Sequence, residues 1–452
     1  KKKVKKNQLK LKLIYMKENG VAIIGVGYVG TVIASALANK GLSVIGIDID
    51  KDNVKKLNQG TTSIYEPGIK EALKIAKIEG DFYATSDISE ISKVKTIIVT
   101  VGTPLSENFD ADLTQLDEVA QGIAKHISKD TLICLKSTVI PGTTEKFANS
   151  VSKNSGFVLG KDFFISFSPE RLAEGTALKE LQTYPIVVGS DNPESVDRCS
   201  DFWQESLGLE TIKVSSYVSA ELTKLADNLW IDVNVCLANM IASLTYELGA
   251  DSTEVIRAAN SLPKGKGNVN ILDSSIGVGG SCLTKDPLFF AKLLEERKLD
   301  SSLINSARDF NNSMPKNYVV KILEWGKKNK IKPLNVSLIG LSFKSDTNDL
   351  RFTPMKDVYN LLKDKVNLKL HDPYVTKEAF ERLVGERINF CSLENCFLET
   401  DVVIFGCSHS AITFSTIKKL IPLMKDKKLI VDGRHGYEEL RDLLGKKDYL
   451  YI

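Results

Sequence analysis

A short strand that runs into a glycine-rich turn constrains the fold of this chain more than any other feature. Residues 21–30, VAIIGVGYVG, are apolar and end in Gly25-x-Gly27-x-x-Gly30. A helical stretch follows, and a second apolar strand ends at Asp48. An acid about 20 residues after the glycines, in the order strand, turn, helix and strand, is typical of a dinucleotide-binding domain.

The chemistry of this turn indicates which dinucleotide it binds. Glycines let the backbone approach a pyrophosphate at the helix N-terminus, and the acid accepts hydrogen bonds from a ribose diol. Because an acid at this position repels a 2′-phosphate, Asp48 favours NAD over NADP. A tight turn without a ligand remains the alternative. The cofactor-binding residues expected here are Gly25, Gly27, Tyr28, Val29, Gly30 and Asp48.

Length and charge exclude several classes of protein. A chain of 452 residues is too long for one hydrophobic core and predicts two or three domains. Removing the eight lysines of residues 1–17 from the net charge of +3 leaves −5, so the folded body has no basic excess. We therefore expect no nucleic-acid partner, and we expect residues 1–17 to be a disordered lysine-rich extension.

Hydropathy and cysteine usage indicate the compartment. No stretch approaches the roughly 18 uncharged residues that a membrane span requires. The seven cysteines are dispersed and lack CxxC spacing. These features predict a cytoplasmic protein without a disulfide framework, a bound metal or a membrane partner.

Two further strands carry small hydroxyl residues at their ends. They are residues 96–104, TIIVTVGTP, and residues 132–144, LICLKSTVIPGTT. Ligands of parallel sheets bind beyond the carboxyl ends of the strands, where Thr103, Ser137 and Thr138 would lie. The alternative is that these residues only form turns.

The C-terminal part of the chain contains four more strands separated by helical stretches. They are residues 335–343, 367–373, 401–407 and 428–434. Alternating strands and helices predict a second parallel α/β domain, but it has no GxGxxG turn. It either binds a different ligand or is purely structural.

A long stretch without glycine or proline lies between these domains. Residues 216–248 are apolar around much of the helix circumference and would span roughly 50 Å as one helix. Such an apolar surface favours a homodimer built around this helix. Lys224 and Asn228 lie four residues apart on one face, where a solvated polar stripe is the more ordinary interpretation.

One cysteine lies in a loop rather than in an apolar segment. Residues 278–287, VGGSCLTKDP, place Cys282 after two glycines and before a lysine and an aspartate. A reactive thiol needs access and nearby charge, which this loop offers. Taken alone, the stretch is also compatible with an ordinary turn that contains a small apolar residue.

In this order, the motifs resemble those of the UDP-glucose/GDP-mannose dehydrogenase family over the chain after Met16. Five segments carry the resemblance: GVGYVG (25–30), SPERLAEG (168–175), the helix with Lys224 and Asn228, GVGGSCLTKD (277–286) and LSFKSDTNDLR (341–351). The resemblance implies an α/β fold with two Rossmann-like domains joined by a long central helix and an all-α middle region. The implied domains are an NAD-binding domain at 18–208, a central helical dimerisation domain with the cysteine loop at 209–314, and a UDP-sugar-binding domain at 315–452.

The family resemblance implies a four-electron oxidation that depends on NAD. The C6 alcohol of a UDP-sugar becomes a carboxylate, and Cys282 holds the intermediate as a thiohemiacetal and then as a thioester. Lys224 and Asn228 would stabilise the alkoxide, Asp286 would hold the lysine or a water, and Glu170 would activate the hydrolytic water. Further roles carried over are cofactor or water contacts by Thr138, Ser137, Glu174, Lys285 and Arg351, and substrate contacts by Gly279, Phe343, Lys344 and Lys266. Lys264 or Lys266 would take the place of a usual arginine at the sugar.

The choice of sugar depends on smaller features. Three features look like those of the branch that oxidises UDP-N-acetylhexosamines: residues 232–242, residues 306–315 and the Asp286–Pro287 pair. Ser281 instead looks like the UDP-glucose branch. We therefore expect UDP-N-acetylmannosamine as the substrate, with UDP-N-acetylglucosamine next.

Three alternatives remain open. The first is a UDP-glucose 6-dehydrogenase with the same machinery and a smaller pocket at C2. The second is a nucleotide-sugar sensor that has lost catalysis, although a sensor has no use for an accessible thiol. The third, a hydroxy-acid or 3-hydroxyacyl dehydrogenase, does not account for the cysteine loop.

Overall fold

The computed structural model describes residues 20–78, 81–104, 111–265, 267–445 and 448–450. The extension predicted at residues 1–17 and the predicted substrate residue Lys266 lie outside these ranges. The chain divides into two compact units, unit 1 up to Ala226 and unit 2 from Asp227 onwards. The boundaries of the three predicted domains stay a prediction.

Unit 1 contains a sheet of eight strands. They are β1 (Val21–Ile24), β2 (Ser43–Ile47), β3 (Asp81–Thr85), β4 (Thr96–Val99), β5 (Thr131–Leu135), β6 (Phe163–Phe167), β7 (Ile186–Gly189) and β8 (Thr211–Val214). Their order is β3-β2-β1-β4-β5-β6-β7-β8, and all neighbours are parallel except β6 and β7. The four strands predicted from the sequence in this region are confirmed as β1, β2, β4 and β5.

The helices of unit 1 cover both faces of this sheet. They are Tyr28–Asn39, Lys51–Asn58, Ile69–Ile78, Thr114–His126, Thr143–Ser155, Ala177–Glu180 and Pro193–Leu207, with a 3-10 helix at Ile88–Lys93. Successive strand residues enter opposite cores: Ile23 packs in one and Ile24 in the other. This two-sided burial explains why β1, β4 and β5 read as continuous apolar runs.

The strand order fixes where a ligand of unit 1 can bind. β1 lies between β2 and β4, with Ile24 opposite Ile47 on one side and Val99 on the other. The chain therefore leaves β1 and β4 towards opposite sides, which opens a crevice beyond their carboxyl ends. The glycine-rich turn lies at this crevice.

A helix of 32 residues, Tyr217–Leu248, contains the division between the units and confirms the helix predicted at 216–248. It is long and apolar enough to pass as a membrane span, with a mean hydropathy of 1.3 over 18 residues, of which 33% are buried. Core helices of soluble proteins pass the same test. Asp232 and Asn239 on this helix are fully buried and form hydrogen bonds with other protein groups.

Unit 2 contains a second parallel sheet, which confirms the predicted α/β domain. Its strands are β11 (Asn335–Ile339), β12 (Asn367–His371), β13 (Val402–Phe405), β14 (Leu429–Asp432) and β15 (Tyr449–Leu450), in the order β12-β11-β13-β14-β15. Its helices are Pro354–Leu362, Lys377–Val384, Leu393–Phe397, Phe414–Leu420 and Glu439–Leu444, with a 3-10 helix at Ile421–Leu423.

The part of unit 2 before this sheet is mainly helical, as expected. It contains Ser252–Asn260, Asp286–Glu296 and Ser302–Lys328, and one small hairpin of β9 (Pro263–Lys264) and β10 (Gly267–Asn268). An all-α middle region was expected, and this antiparallel hairpin differs from that expectation. The cysteine loop precedes the helix Asp286–Glu296.

Candidate active site

The glycine-rich turn of unit 1 has the close approaches that a dinucleotide-binding turn requires. Gly25 has a φ of +90°, and a Cβ there would lie 2.9 Å from the backbone nitrogen of Val101. A Cβ on Gly30 would collide with the carbonyl of Gly25. A Cβ on Gly27 would meet nothing within 4 Å, so this glycine faces the open space that a pyrophosphate would occupy.

Asp48 follows β2 directly and lies beside this turn. Its carboxylate accepts a hydrogen bond from the backbone of Asp50 at 3.0 Å and one from the side-chain amide of Asn53 at 3.4 Å. The same amide donates to the carbonyl of Val26 in the turn at 2.8 Å. Asn53 thus joins Asp48 to the turn without adding positive charge, as suits NAD.

The hydroxyl residues predicted at the carboxyl ends of β4 and β5 lie together. The Thr103 hydroxyl donates to the carbonyl of Thr138 at 2.5 Å. Ser137 Oγ is buried and has no hydrogen-bond partner among the described residues. A buried hydroxyl without a partner fits a site that a cofactor completes. The cofactor roles of these three residues stay predictions.

Glu170 is held firmly at the carboxyl end of β6. One carboxylate oxygen accepts hydrogen bonds from the backbone N–H groups of Arg171 and Leu172, both at 2.8 Å. The other oxygen lies 3.4 Å from the ammonium of Lys136, whose side chain is 2% exposed. Sequence reasoning missed Lys136, since one lysine at a strand end gives no distinguishing pattern.

A second acid that sequence reasoning missed joins the glycine-rich turn to the loop of Glu174. Glu66 is buried and accepts hydrogen bonds from the Tyr28 hydroxyl and from the backbone of Gly175 at 2.7 Å and Leu178 at 3.3 Å. Burial and the Glu66 carboxylate raise the pKa of Tyr28, so its hydroxyl stays a donor. Tyr28 thus helps to position the loop.

Lys224 and Asn228 are buried, with 8% and 6% exposure, so the solvated-stripe interpretation is wrong. In unit 2 the amide of Asn228 donates to Asp286 at 2.5 Å, and Asp286 is fully buried. Lys285 lies 3.8 Å from the other oxygen of Asp286. The predicted residues Asn228, Lys285 and Asp286 therefore form one cluster.

The cysteine loop confirms the accessible thiol that the sequence indicated. Of the seven cysteines, all in the described part of the chain, Cys282 is the exposed one. Its carbonyl accepts hydrogen bonds from the backbone of Lys285 at 3.1 Å and Asp286 at 2.9 Å. The turn that these bonds form leads into the helix beginning at Asp286 and holds the cysteine beside the cluster of charged residues.

The glycines before Cys282 allow this loop to pack against the predicted nucleotide-sugar segment. A Cβ on Gly279 would lie 2.7 Å from the Phe343 Cβ, and one on Gly280, at φ +87°, would lie 2.7 Å from the Phe343 ring. The Arg351 carbonyl accepts a hydrogen bond from Gly280 N–H at 3.1 Å, while its side chain pairs with Asp349. The half-buried Lys344 follows Phe343 directly. The substrate and cofactor roles of these residues stay predictions.

A buried polar network joins the long helix to the helix Ser302–Lys328. Arg308 donates to the carboxylate of Asp232, and the Asn311 amide donates to the same oxygen at 2.9 Å. The Asn239 amide donates to Asn311 Oδ1 at 2.9 Å. Arg308 is 5% exposed and the other three side chains are fully buried, so each of these groups needs its partner.

This network also fixes the segment that carries Cys282. Arg308 donates to the carbonyl of Leu283 at 3.4 Å, and Asn239 accepts a hydrogen bond from the backbone of Ser275 at 2.7 Å. The sequence of segments 232–242 and 306–315 bears on the choice of sugar and gives no sign that the two segments touch. Their mutual contact could not be predicted, because it depends on side chains about 75 positions apart.

We expect Arg308→Met to destabilise the protein by about 3 to 5 kcal/mol, because it leaves the Asp232 carboxylate buried without its cation. Burial already raises the pKa of Asp232, and removal of Arg308 raises it further. In the unfolded chain the Asp232 carboxyl ionises at a lower pH than in the folded variant. The loss of folding stability is therefore small near pH 4, where the carboxyl is protonated in the folded variant and still partly protonated in the unfolded chain, and grows as pH rises. Urea denaturation at pH 4.5 and 8 measures this difference.

The double variant Asp232→Asn/Arg308→Met is the control for this experiment. It removes both charges together and is expected to recover part of the lost stability and to lose the pH dependence. Equal destabilisation of the single variant at both pH values would contradict the role of the ion pair.

No group of three or more histidine, cysteine or acidic side chains in the described ranges could hold a metal ion. Unit 1 offers a dinucleotide-binding turn, which is suited to hydride transfer. Unit 2 offers an accessible thiol, which is suited to covalent capture of a carbonyl carbon.

Comparison with known proteins assigns all three parts of the chain. The NAD-binding, central and UDP-binding domains of the UDP-glucose/GDP-mannose dehydrogenase family match residues 19–207, 218–313 and 337–439. UDP-N-acetyl-D-mannosamine dehydrogenase of Pyrococcus horikoshii is 31% identical and covers 93% of this chain and 96% of its own length. UDP-glucose 6-dehydrogenase of Rickettsia typhi is 30% identical, over 92% and 95% respectively.

Solved structures agree. A UDP-D-ManNAc dehydrogenase from Pyrococcus horikoshii has a TM-score of 0.81 and 31% identity, covering 92% of this chain and 95% of its own. A UDP-glucose dehydrogenase from Pyrobaculum islandicum has a TM-score of 0.82 and 26% identity, covering 94% and 96%. The chain therefore belongs to the UDP-glucose/GDP-mannose dehydrogenase family and is an NAD-dependent UDP-sugar dehydrogenase.

Proposed function

We propose that this protein oxidises C6 of a UDP-N-acetylhexosamine to the carboxylate, with UDP-N-acetylmannosamine favoured and UDP-N-acetylglucosamine next. NAD, when bound, would accept one hydride in each of two successive oxidations, so two NAD molecules would be reduced for each sugar. The observation that carries the proposal is the exposed thiol of Cys282 in a turn fixed against the buried Asp286. A buried structural cysteine would need no such turn.

Cys282 would capture the aldehyde formed by the first oxidation. Its sulfur bonds to the aldehyde carbon to give a thiohemiacetal, and the second oxidation converts this adduct to a thioester. Covalent capture prevents the aldehyde from leaving between the two steps. The thiol must be accessible for this role, and among the cysteines Cys282 meets that requirement.

Lys224 and Asn228 would stabilise the negative charge that develops on oxygen in these steps. A buried ammonium and an amide donor are worth more for this purpose than exposed ones, because the surroundings do not reorganise. The Asn228 amide is already oriented by its hydrogen bond to Asp286. Asp286 would act as the group that positions the donors or an ordered water.

Glu170 would act as the general base that activates water for hydrolysis of the thioester. Two backbone hydrogen bonds fix Oε1, and the buried Oε2 has no hydrogen-bond partner among the described residues, which leaves it able to accept a hydrogen bond from a water. We propose that Thr138 and Lys285 assist the water and cofactor contacts and that Glu174 lies between nicotinamide and sugar. Gly279, Phe343 and Lys344 would contact the substrate, and Arg351 the cofactor.

The sugar assignment is supported by names of relatives as well as by sequence. Relatives from Pyrococcus horikoshii and several methanogens bear the name UDP-N-acetyl-D-mannosamine dehydrogenase. UDP-glucose is the second candidate, which Ser281 before the cysteine and the relative from Rickettsia typhi favour. The two substrates differ at C2, where an acetamido group needs room and a polar partner.

A panel of substrates tests the proposal. UDP-N-acetylmannosamine, UDP-N-acetylglucosamine and UDP-glucose are each incubated with NAD, and NADH and uronate are counted. We expect the highest kcat/KM with UDP-N-acetylmannosamine and two NADH for each sugar consumed. A preference for UDP-glucose would move the assignment to the second candidate, and one NADH per sugar would refute the four-electron reaction.

We further propose that a homodimer forms through the long helix. Trp230, Leu237 and Leu244 recur every seven residues on it and are 47%, 45% and 61% exposed. One apolar stripe of this kind is suited to a second copy of the chain. Leu244→Glu is expected to shift the sedimentation equilibrium from dimer to monomer, whereas the exposed Leu262→Glu should not. A monomeric native protein would contradict this proposal.

The cytoplasmic location also stays a proposal, supported by seven free cysteines and by the biosynthetic dehydrogenases that the chain resembles. Fractionation of the native cells, followed by detection of the protein in the soluble fraction, tests it. Recovery with the membranes or outside the cell would contradict it.

A further inference from the structure

Unit 1 buries a lysine that none of the roles above uses. Lys136 follows the last residue of β5, and its side chain is 2% exposed. Its ammonium lies 3.4 Å from Glu170 Oε2, donates to the Ser168 carbonyl at 3.1 Å and lies 5.0 Å from the centre of the Trp203 ring. A cation in such surroundings is held by an anion, a carbonyl and an aromatic face.

Fold stability alone does not explain this lysine. A buried ion pair contributes little more to stability than apolar side chains of the same volume, because both charges must leave water. Trp203 is fully buried, so a methionine at position 136 would find an apolar neighbour ready to pack against it. The lysine therefore suggests a role that depends on its charge.

The geometry of Glu170 indicates what that role is. Oε1 is occupied by the N–H groups of Arg171 and Leu172, and Oε2 faces Lys136. Oε2 is buried and has no hydrogen-bond partner among the described residues, so the Lys136 ammonium at ion-pair distance is the charge that it faces. Two hydrogen bonds at Oε1 and this ion pair at Oε2 hold the carboxylate plane in one orientation. A general base needs such a fixed orientation towards the proton that it removes.

We propose that Lys136 is a positioning residue for the hydrolytic step, acting through Glu170, and this rests on the proposed base role of Glu170. In that step a water oxygen bonds to the thioester carbon and Glu170 takes a proton from the water. The carbon–sulfur bond breaks, and the electron pair leaves with the sulfur of Cys282. Lys136 keeps Glu170 oriented and balances its charge before the proton arrives.

The test compares Lys136→Met, Glu170→Gln and the double variant. Each is mixed with NAD and UDP-N-acetylmannosamine, or with the best substrate of the panel. Stopped-flow absorbance follows the NADH burst, and intact-protein mass spectrometry follows the acyl adduct on Cys282. Lys129→Met, which changes an exposed lysine paired with Asp162 near the start of β5, is the matched control.

We expect Lys136→Met to leave the burst rate within about threefold of the native rate. We expect it to slow steady turnover by about tenfold to a hundredfold, with accumulation of the acyl adduct, since positioned general bases contribute about 10²–10⁴. The double variant should be no slower than Glu170→Gln, because Lys136 acts through that carboxylate. Lys129→Met should behave as the native protein.

The outcomes separate this inference from the proposed function. If Glu170→Gln accumulates the adduct and Lys136→Met does not, the lysine has no part in hydrolysis and the inference fails alone. If Glu170→Gln hydrolyses normally, the base assignment fails first. Effects that multiply in the double variant would show a separate structural role. Should Lys136→Met not fold, Lys136→Gln, which keeps a donor for Ser168 without the charge, undergoes the same comparison.

Discussion

Replacing Cys282 by serine is expected to reduce steady-state NADH formation by at least about a thousandfold, because removal of a catalytic nucleophile has effects of this size or larger. A thiol is a few per cent ionised at neutral pH, whereas a serine hydroxyl is not, so the oxygen captures the aldehyde poorly. The readout is kcat for NADH with a saturating UDP-sugar.

The matched control for this variant is Cys391→Ser. Cys391 is partly exposed and lies in the second α/β sheet region, so its loss tests for general effects of removing a thiol. We expect near-native activity from it. If Cys282→Ser turns over within tenfold of the native rate, the covalent mechanism is contradicted. If the native protein itself shows no turnover, the sensor hypothesis is favoured.

The sequence predicted those parts of the fold and site that follow from local patterns. The turn at Gly25, Gly27 and Gly30 has a strand before it and a helix after it, because the spacing of glycines is tied to backbone geometry. The long helix was predicted to within one residue, because nothing in 216–248 interrupts it. The glycines beside Cys282, with the lysine and aspartate after it, favoured an accessible thiol over an ordinary turn, and the exposed Cys282 confirms this.

Residues that act through distant contacts were missed. Glu66 binds Gly175 across 109 positions, and Lys136 meets Glu170 across 34, while neither belongs to a periodic pattern. Burial was also misjudged where local rules favour solvent. Lys224 and Asn228 are polar residues at helical spacing, and only the packing of other segments around them shows that they are buried.

The edge of the first sheet shows the same limit. β7 and β8 extend it beyond β6, and β7 runs antiparallel to β6. Strands of four residues give a weak signal, and their direction depends on the path of the loop between them. This loop carries Glu170 and Glu174, so the departure from a parallel sheet coincides with a segment proposed to be functional.

Lys224→Met is expected to lower kcat by about 10² to 10³, the usual effect of removing one group that stabilises charge on a reacting oxygen. KM for the UDP-sugar should change little, because the charge develops after binding. The same substitution places a good helix former in a helix and removes a buried charge, so thermal stability should be unchanged or higher.

The opposite signs of these two effects make the experiment decisive. If Lys224 only supports the helix, the variant protein loses activity together with stability. If Lys224 is catalytic, the variant loses activity but is no less stable than the native protein. Lys213→Met is the matched control, since this exposed lysine pairs with Asp197 and should affect neither property. Near-native kcat in a stable Lys224→Met protein would contradict the role of Lys224. Asn228, whose amide is held by its hydrogen bond to Asp286, would then be the group that stabilises the alkoxide.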